Sequence, residues 1–271
     1  MVPQRFSPLL ISIALILTGC PKRIADFGKD GEPRSAQELL QRITVAESQI
    51  YSIRGDARLV VDSPQGKGSV ALFAAVVHPS YVHIEQLDFF NRPQSMFVTD
   101  GVRFGLYMAA EGRYYRGPAT PVNLSRFLPL VMPPAELAAV MLGRAPRIPA
   151  DSLDMRFDDE KQQLVLVINR GKVRQTLFVQ PPSYRVVSST AENLNAYALD
   201  FEDLVPDDKG VTWPKHASLD ARSARTKVEL VWKDAALNEA PDMTLFDFEP
   251  PDGIPVVEVD ANGAPSEPAP K

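Results

Sequence analysis

The chain carries few side chains suited to covalent chemistry. Cys20 is its only cysteine, and His78, His83 and His216 are its histidines. A lone thiol can act as a nucleophile, but it forms no disulfide within the chain. The histidines have no Cys partner at zinc spacing and no H-E-x-x-H pattern, which argues against a metal centre. No G-x-S-x-G or P-loop motif occurs. Asp158-Asp159-Glu160 places three acids in a row. A catalytic carboxylate pair must converge across space, and a hairpin turn accounts for this run. Tyr114-Tyr115 between Arg113 and Arg116 suggests base stacking, but neighbours in a strand split between faces. Trp213 and Trp232 read as core or cavity-rim residues. The expectation is a protein that is not an enzyme, with no metal, no cofactor and no nucleic-acid partner.

The setting of Cys20 gives its thiol a use. Arg5 precedes an apolar run from Leu9 to Leu17, broken only by Ser12, and Leu17-Thr18-Gly19-Cys20 closes the segment. The run is short of the about 20 residues of a spanning helix and has the layout of a secretory signal. The closing tetrapeptide resembles the bacterial lipobox, whose small residues let a peptidase approach. That resemblance implies a signal peptide over 1–19, diacylglycerol on the Cys20 thiol, and a further acyl chain on its freed amine. Two or three chains anchor stably, since each buried CH₂ contributes about 0.8 kcal/mol. Residue 21 is Pro, not the Asp that retains many such lipoproteins at the inner membrane of enterobacteria. The expected place is therefore the outer membrane, facing the periplasm.

The elements that follow must form a tethered domain. With 271 residues, 45% apolar and 23% charged, the chain suits one domain plus tails. A formal charge of −5 disfavours a general nucleic-acid binder. Residues 20–34 are polar, with Gly and Pro, and read as a flexible tether. Ser35-Ala36-Gln37-Glu38 matches a capping box, and Leu39, Ile43, Ala46 and Ile50 follow at helical spacing. Strand signals then dominate: alternation over 54–62, an apolar run over 68–77, and further strands to 116. Prolines punctuate 121–149, where 122–131 and 135–142 read as short helices. Strands resume from 153 to 232. Residues 252–271 lose periodicity, gain Pro and acid, and are expected to be a disordered tail. Eleven or twelve short strands joined by tight turns predict a mainly β (α+β) fold: a large curved antiparallel sheet covered by short helices.

Several segments in this order resemble the LolA/LolB-like domain, the half-barrel of the periplasmic lipoprotein carrier and its outer-membrane receptor. They are "SIRGDARLVV" after the helix, "VTDGVRFGLYMAAEGRYYRGP", "NLSRFLPLVMPPAELAAVMLGRAP", and the close "KVELVWKDAALNEAPDMTLFDFEPPDG". The resemblance covers 35–251. The acidic, Pro-rich tail and a Phe pair in the loop Asp88-Phe89-Phe90-Asn91-Arg92 depart from the receptor's pattern. The resemblance implies a hydrophobic cavity for acyl chains or lipidated proteins. Candidate lining residues are Leu59, Phe73, Val82, Ile84, Phe104 and Leu106 from strands, with Phe127, Leu128 and Leu137 from the helical lid. Adjacent aromatics in an extended loop cannot both point inward, so one of Phe89 and Phe90 is expected outside. In the receptor, an exposed apolar side chain on this loop inserts cargo into the membrane. The alternative is a non-enzymatic lipoprotein that docks an envelope partner.

Overall fold

The computed structural model describes residues 25–90, 92–126, 131–193 and 196–265. Cys20 and the signal segment 1–19 lie outside the described residues. Helix α1 spans Ala36–Ser48. Ser35 caps it by accepting the Glu38 backbone N–H, while the Glu38 carboxylate accepts from Arg34 N–H at 2.9 Å. Its buried stripe is Leu39, Ile43 and Ala46.

Six strands follow: β1 (Ser52–Ser63), β2 (Gly66–Val77), β3 (Tyr81–Leu87), β4 (Pro93–Thr99), β5 (Arg103–Met108) and β6 (Arg113–Pro118). Two short helices, α2 (Pro121–Leu124) and α3 (Pro134–Met141), interrupt them. The second meander is β7 (Ser152–Asp158), β8 (Gln163–Arg170), β9 (Val173–Gln180), β10 (Arg185–Glu192), β11 (Tyr197–Pro206), β12 (Thr212–Ala221) and β13 (Thr226–Leu237). A three-residue strand β14 (Val256–Glu258) ends the series. Asp-Gly, Asn-Arg-Gly and Pro-Pro turns make most neighbours sequential and antiparallel. Among the described residues no helix is long and apolar enough to cross a membrane.

All fourteen strands form one sheet, in the order β14-β6-β5-β4-β3-β2-β1-β13-β12-β11-β10-β9-β8-β7. The two meanders meet where β1 pairs antiparallel with β13, with Leu59 opposite Leu230 and Ile53 opposite Leu237. A register shift at Asp56/Ala57 bends this junction. Gly55 sits beside the bend, where a Cβ would lie 1.9 Å from the Asp234 carbonyl oxygen. The sheet curls so that β2 and β3 face β12 and β13 across a hollow roofed by α3. This is the half-barrel expected from the order of elements.

The ends of the domain differ from the sequence reading. Residues 25–34, expected to be loose tether, lie against the second meander. The Tyr184 hydroxyl donates to the Phe27 carbonyl at 2.9 Å, Arg42 donates to the Gly31 carbonyl at 2.5 Å, and the Phe27 and Phe157 rings meet edge-on at 5.5 Å. At the other end, the domain was placed as ending at 251, yet the chain continues as a strap. It crosses the convex face of the first meander, where Phe246 is buried against Tyr81, Ala75 and Val98. There His83 Nδ1–H donates to the Leu245 carbonyl at 2.7 Å. The strap then turns around the sheet edge, and β14 pairs in parallel with β6. Val259 enters the main core at 3% exposure. It passes so close to Gly117 that a Cβ there would lie 2.4 Å from the Val259 carbonyl oxygen. Alternation cannot reveal a three-residue strand whose partner lies some 140 positions upstream.

Deleting residues 252–271 should destabilise the domain by about 2 kcal/mol or more, because Val259 leaves a void and β6 becomes a bare edge. Urea unfolding and size-exclusion chromatography would register the loss and the resulting self-association. Burial lowers the His83 pKa. As pH falls through about 6.5, the unfolded chain gains a proton that folded His83 refuses, so stability falls. His83→Asn should lose less stability between pH 7 and pH 5.5 than the wild type, measured by urea titration at both.

Candidate functional site

Strand alternation decides which side chains meet inside the curl. On β2, Leu72, Ala74 and Val76 face the concave side and join the main core. On β1 and β3 the same side is taken by Ala57 and Leu59, and by Val82 and Ile84. Phe97, Phe104 and Leu106 extend it across β4 and β5. Leu137, Ala138 and Met141 of α3 seat on this surface. The seating is incomplete. Between α3 and β12–β13 an apolar hollow of about 50 Å³ remains, with Leu59, Leu72, Ile84, Leu137, Leu219 and Leu230 in its wall.

The hollow adjoins a much larger cavity of about 740 Å³ at Met132, Val140 and Leu219. Its floor is the connector 142–151, through Pro146, Ile148 and Pro149. Gln175, fully buried, fixes that floor. Its Nε2 donates to the Pro146 carbonyl at 2.6 Å and to the Tyr197 hydroxyl at 2.9 Å, and its Oε1 accepts the Ile148 N–H at 3.0 Å. Burial pushes the Tyr197 hydroxyl's pKa up and keeps it protonated. Arg170, Val173, Ala191, Ala221 and Ser223 line the outer part of the cavity. They lie at the β8–β9, β10–β11 and β12–β13 turns, so the mouth opens at that end of the strands.

Strand direction puts the β3–β4 turn at the same end. Here Phe89 is 94% exposed and Phe90 73% exposed. The sequence reading expected one of the two outside; both are. The loop is nonetheless built. Asp88 Oδ1 accepts the N–H groups of Phe90 and Arg92 at 2.8 and 2.9 Å, and its Oδ2 accepts from Arg92 Nε at 2.8 Å. The Arg92 N–H is the largest influence holding the Asp88 carboxyl below its usual range. The two Phe rings stack edge-on at 5.5 Å, and the Arg92 guanidinium lies 5.2 Å from the Phe90 ring centre. The segment Phe27–Gly31 packs at the β9–β10 turn, the opposite end of the strands.

The remaining sequence candidates divide by position. Leu59, Ile84 and Leu137 line the hollow. Val82, Phe104 and Leu106 are on the concave side but fill the main core, each at 1% exposure or less. Phe73 is a correction. It lies on the convex face with Ala75, Val77 and Tyr81, its ring edge-on to His83 at 6.2 Å. A strand apolar on both faces gives no parity signal, and Leu72 is its neighbour that faces the hollow. Phe127, Leu128 and Asn91 lie outside the described residues. Met132, Val140, Leu219 and Leu230 were missed as lining. For Leu219 and Leu230 the only sequence signal was alternation on β12 and β13, which reach β1 through the non-sequential β1–β13 pairing, whereas Val140 lies on α3 and Met132 just before it.

Other chemistry-bearing groups are accounted for locally. Trp213 and Trp232 are in the main core. Tyr114 lies buried over Gly105, and burial pushes its hydroxyl up to about 12. Asp158 caps its own turn by accepting the N–H groups of Glu160 and Lys161. His216 sits 3.2 Å from Glu202 on the neighbouring strand. Among the described residues no three His, Cys, Asp or Glu side chains converge on one point.

No protein-family model matches the chain, and no curated protein matches it in sequence. Solved structures do match. A domain described as an outer membrane lipoprotein-sorting protein from Vibrio parahaemolyticus superposes with a TM-score of 0.51 at 10% identity, covering 79% of this chain and 96% of that one. A DUF1329 family protein from Desulfovibrio piger gives a TM-score of 0.57 at 10% identity, covering 78% and 95%. At such identity the likeness is one of fold. The chain folds as a LolA/LolB-like half-barrel: a curved, unclosed antiparallel sheet with few short helices.

Replacing Phe89 and Phe90 together by Glu should change folding stability by less than about 0.5 kcal/mol, as neither ring is covered. A thermal melt shifted by several degrees would show that the loop has a packing role.

Proposed function

We propose that this chain is a lipid-anchored envelope protein, tethered through Cys20 and facing the periplasm, that takes acyl chains into its apolar cavity. The chains are those of lipids or of lipidated proteins, and the setting is the outer membrane. The observation that carries this reading is the cavity of about 740 Å³ that narrows inward beneath α3 and opens at the end of the strands that also carries the Phe89–Phe90 loop. That volume falls within the range of about 300–1,000 Å³ typical of sites for small ligands. An alkyl chain makes no directional demand. Burying it gains about 25 cal/mol per Å² of apolar surface, and the wall of alternating aliphatic residues offers such surface.

The shared half-barrel fold and the Leu-Thr-Gly-Cys signal support the same reading from outside the cavity. Phe89 and Phe90 form an apolar rim that meets acyl chains entering or leaving, in a cargo protein or at a bilayer surface. The last residues of the tether are fastened at the opposite end of the strands. The mouth therefore opens away from the side on which the anchored segment joins the domain.

A fluorescent fatty-acid probe tests the reading. The chain lacking residues 1–20 should bind it, and Ala221→Trp, which narrows the mouth, should weaken binding about tenfold or more at unchanged fold. A wild-type protein that leaves the probe free would instead favour the docking of an envelope partner. Phe89→Glu with Phe90→Glu should keep probe binding but impair delivery of bound chains to liposomes. Undiminished delivery would remove the loop from the mechanism.

A further inference from the structure

A cluster of charged groups, with Glu47 and Arg185 buried, Arg144 half-buried and Arg147 partly exposed, lies outside the cavity lining. The connector 142–151 presents Pro146, Ile148 and Pro149 to the cavity and sends Arg144 and Arg147 toward the C-terminal end of α1. There Glu47 is 3% exposed. Its Oε2 accepts from Arg147 Nη1 at 2.5 Å, and its Oε1 is buried with no hydrogen-bond partner among the described residues. Arg144 donates to the Ile50 carbonyl and places Nη1 3.2 Å from His78 Nδ1, while its Nε is buried with no partner among the described residues. Arg185, at the start of β10, is 1% exposed, and both of its Nη atoms are buried with no acceptor among the described residues.

These groups feel one another. Arg185 is under the influence of both Glu47 and Arg144. Three guanidiniums therefore share one carboxylate. Burial lowers the Arg185 pKa to about 10, which still leaves it charged at neutral pH. A buried guanidinium with an empty donor fork is costly, and removal of that cost calls for an anion rather than for an apolar neighbour.

We propose that Arg185 and its neighbours form a phosphate-type oxyanion site. The planar fork of a guanidinium matches two oxygens of one such group, and the positive charge of Arg144, left over once Arg147 is paired with Glu47, favours it. A hydrogen phosphate or phosphomonoester also carries an O–H that can donate to Glu47 Oε1, which an ionised carboxylate cannot do. The group comes from free phosphate or from a lipid headgroup. The proposal stands apart from the acyl reading, which a fatty-acid probe tests separately.

Calorimetric titration of the full chain in detergent, with inorganic phosphate at ionic strength held constant by sodium chloride, tests the site. Wild type should bind saturably, and Arg185→Gln should bind about tenfold more weakly or worse. Glu47→Gln, which removes the one competing negative charge but keeps an Oε1 that can accept the phosphate O–H, should bind more tightly, and it serves as the test if Arg185→Gln fails to fold. A parallel titration with dodecyl phosphate separates the sources. Loss of its binding in Arg185→Gln assigns the site to a headgroup, and unchanged binding assigns it to free phosphate. No phosphate binding by wild type, equal binding by Arg185→Gln, or unchanged or weaker binding by Glu47→Gln would overturn the proposal.

Discussion

The pairing of β1 with β13 is the constraint on which the rest of the structure depends. It joins two meanders that are each built from sequential hairpins. It sets Leu59 beside Leu230 and Ala57 beside Trp232. Without it, each meander would be an open sheet with one bare apolar face. With it, a single fourteen-stranded sheet forms, and a sheet of that width must curl. The curl turns a flat apolar face into a concave one, and a few short helices then suffice to cover it. Gly55 marks how closely the two backbones approach at the bend.

Coverage of the concave face is uneven, and that unevenness makes the cavity. Over β2 and β3, α3 packs closely and the side chains form a filled core. Along the second meander α1 packs on β7, β8 and β10, and beside it the floor of the cavity is a Pro-rich connector held by polar contacts to Gln175. Prolines at 146 and 149 keep that connector extended, so it spans the sheet without filling it. Space is left where an extended segment replaces a helix. The convex face is treated differently. The C-terminal strap seals part of it, with Phe246 as its anchor, and then closes the β6 edge that would otherwise invite strand addition.

Polar and apolar roles are thus spatially sorted. Apolar surface lines the hollow and is exposed on the Phe89–Phe90 loop. Among the described residues the buried carboxylate and guanidinium, Glu47 and Arg185, lie where α1, the connector and β10 meet. One carboxylate among three guanidiniums is a poor way to add stability. Its persistence in so apolar an interior fits a ligand-binding role better than a packing one. The Phe89–Phe90 loop is equally unlike a packing feature: Asp88 and Arg92 hold the turn in shape while both aromatic rings stay in water.

Much of the chain's local structure was legible in its residues, because alternation and turn chemistry act over a few positions. Capping by Ser35, the ends of β3, the Asp100-Gly101 turn and the start of α3 after Pro133 all follow from neighbours in sequence. The reading of a half-barrel rested on the order of these elements, and the placement of Phe89 and Phe90 on a loop rested on turn residues beside them. Tertiary structure alone decided which face of β2 turns inward, so that Leu72 and not Phe73 borders the hollow. It also decided that Leu219 and Leu230 stand across from Leu59, that Val256–Glu258 finds an edge to pair with, and that the Arg185 fork ends up buried without an acceptor among the described residues. Each of these depends on which strands become neighbours through the β1–β13 junction and the closing of the strap. Such long-range pairings leave no periodic trace in a single sequence, because their partners are set by the folding of the whole sheet rather than by adjacent residues.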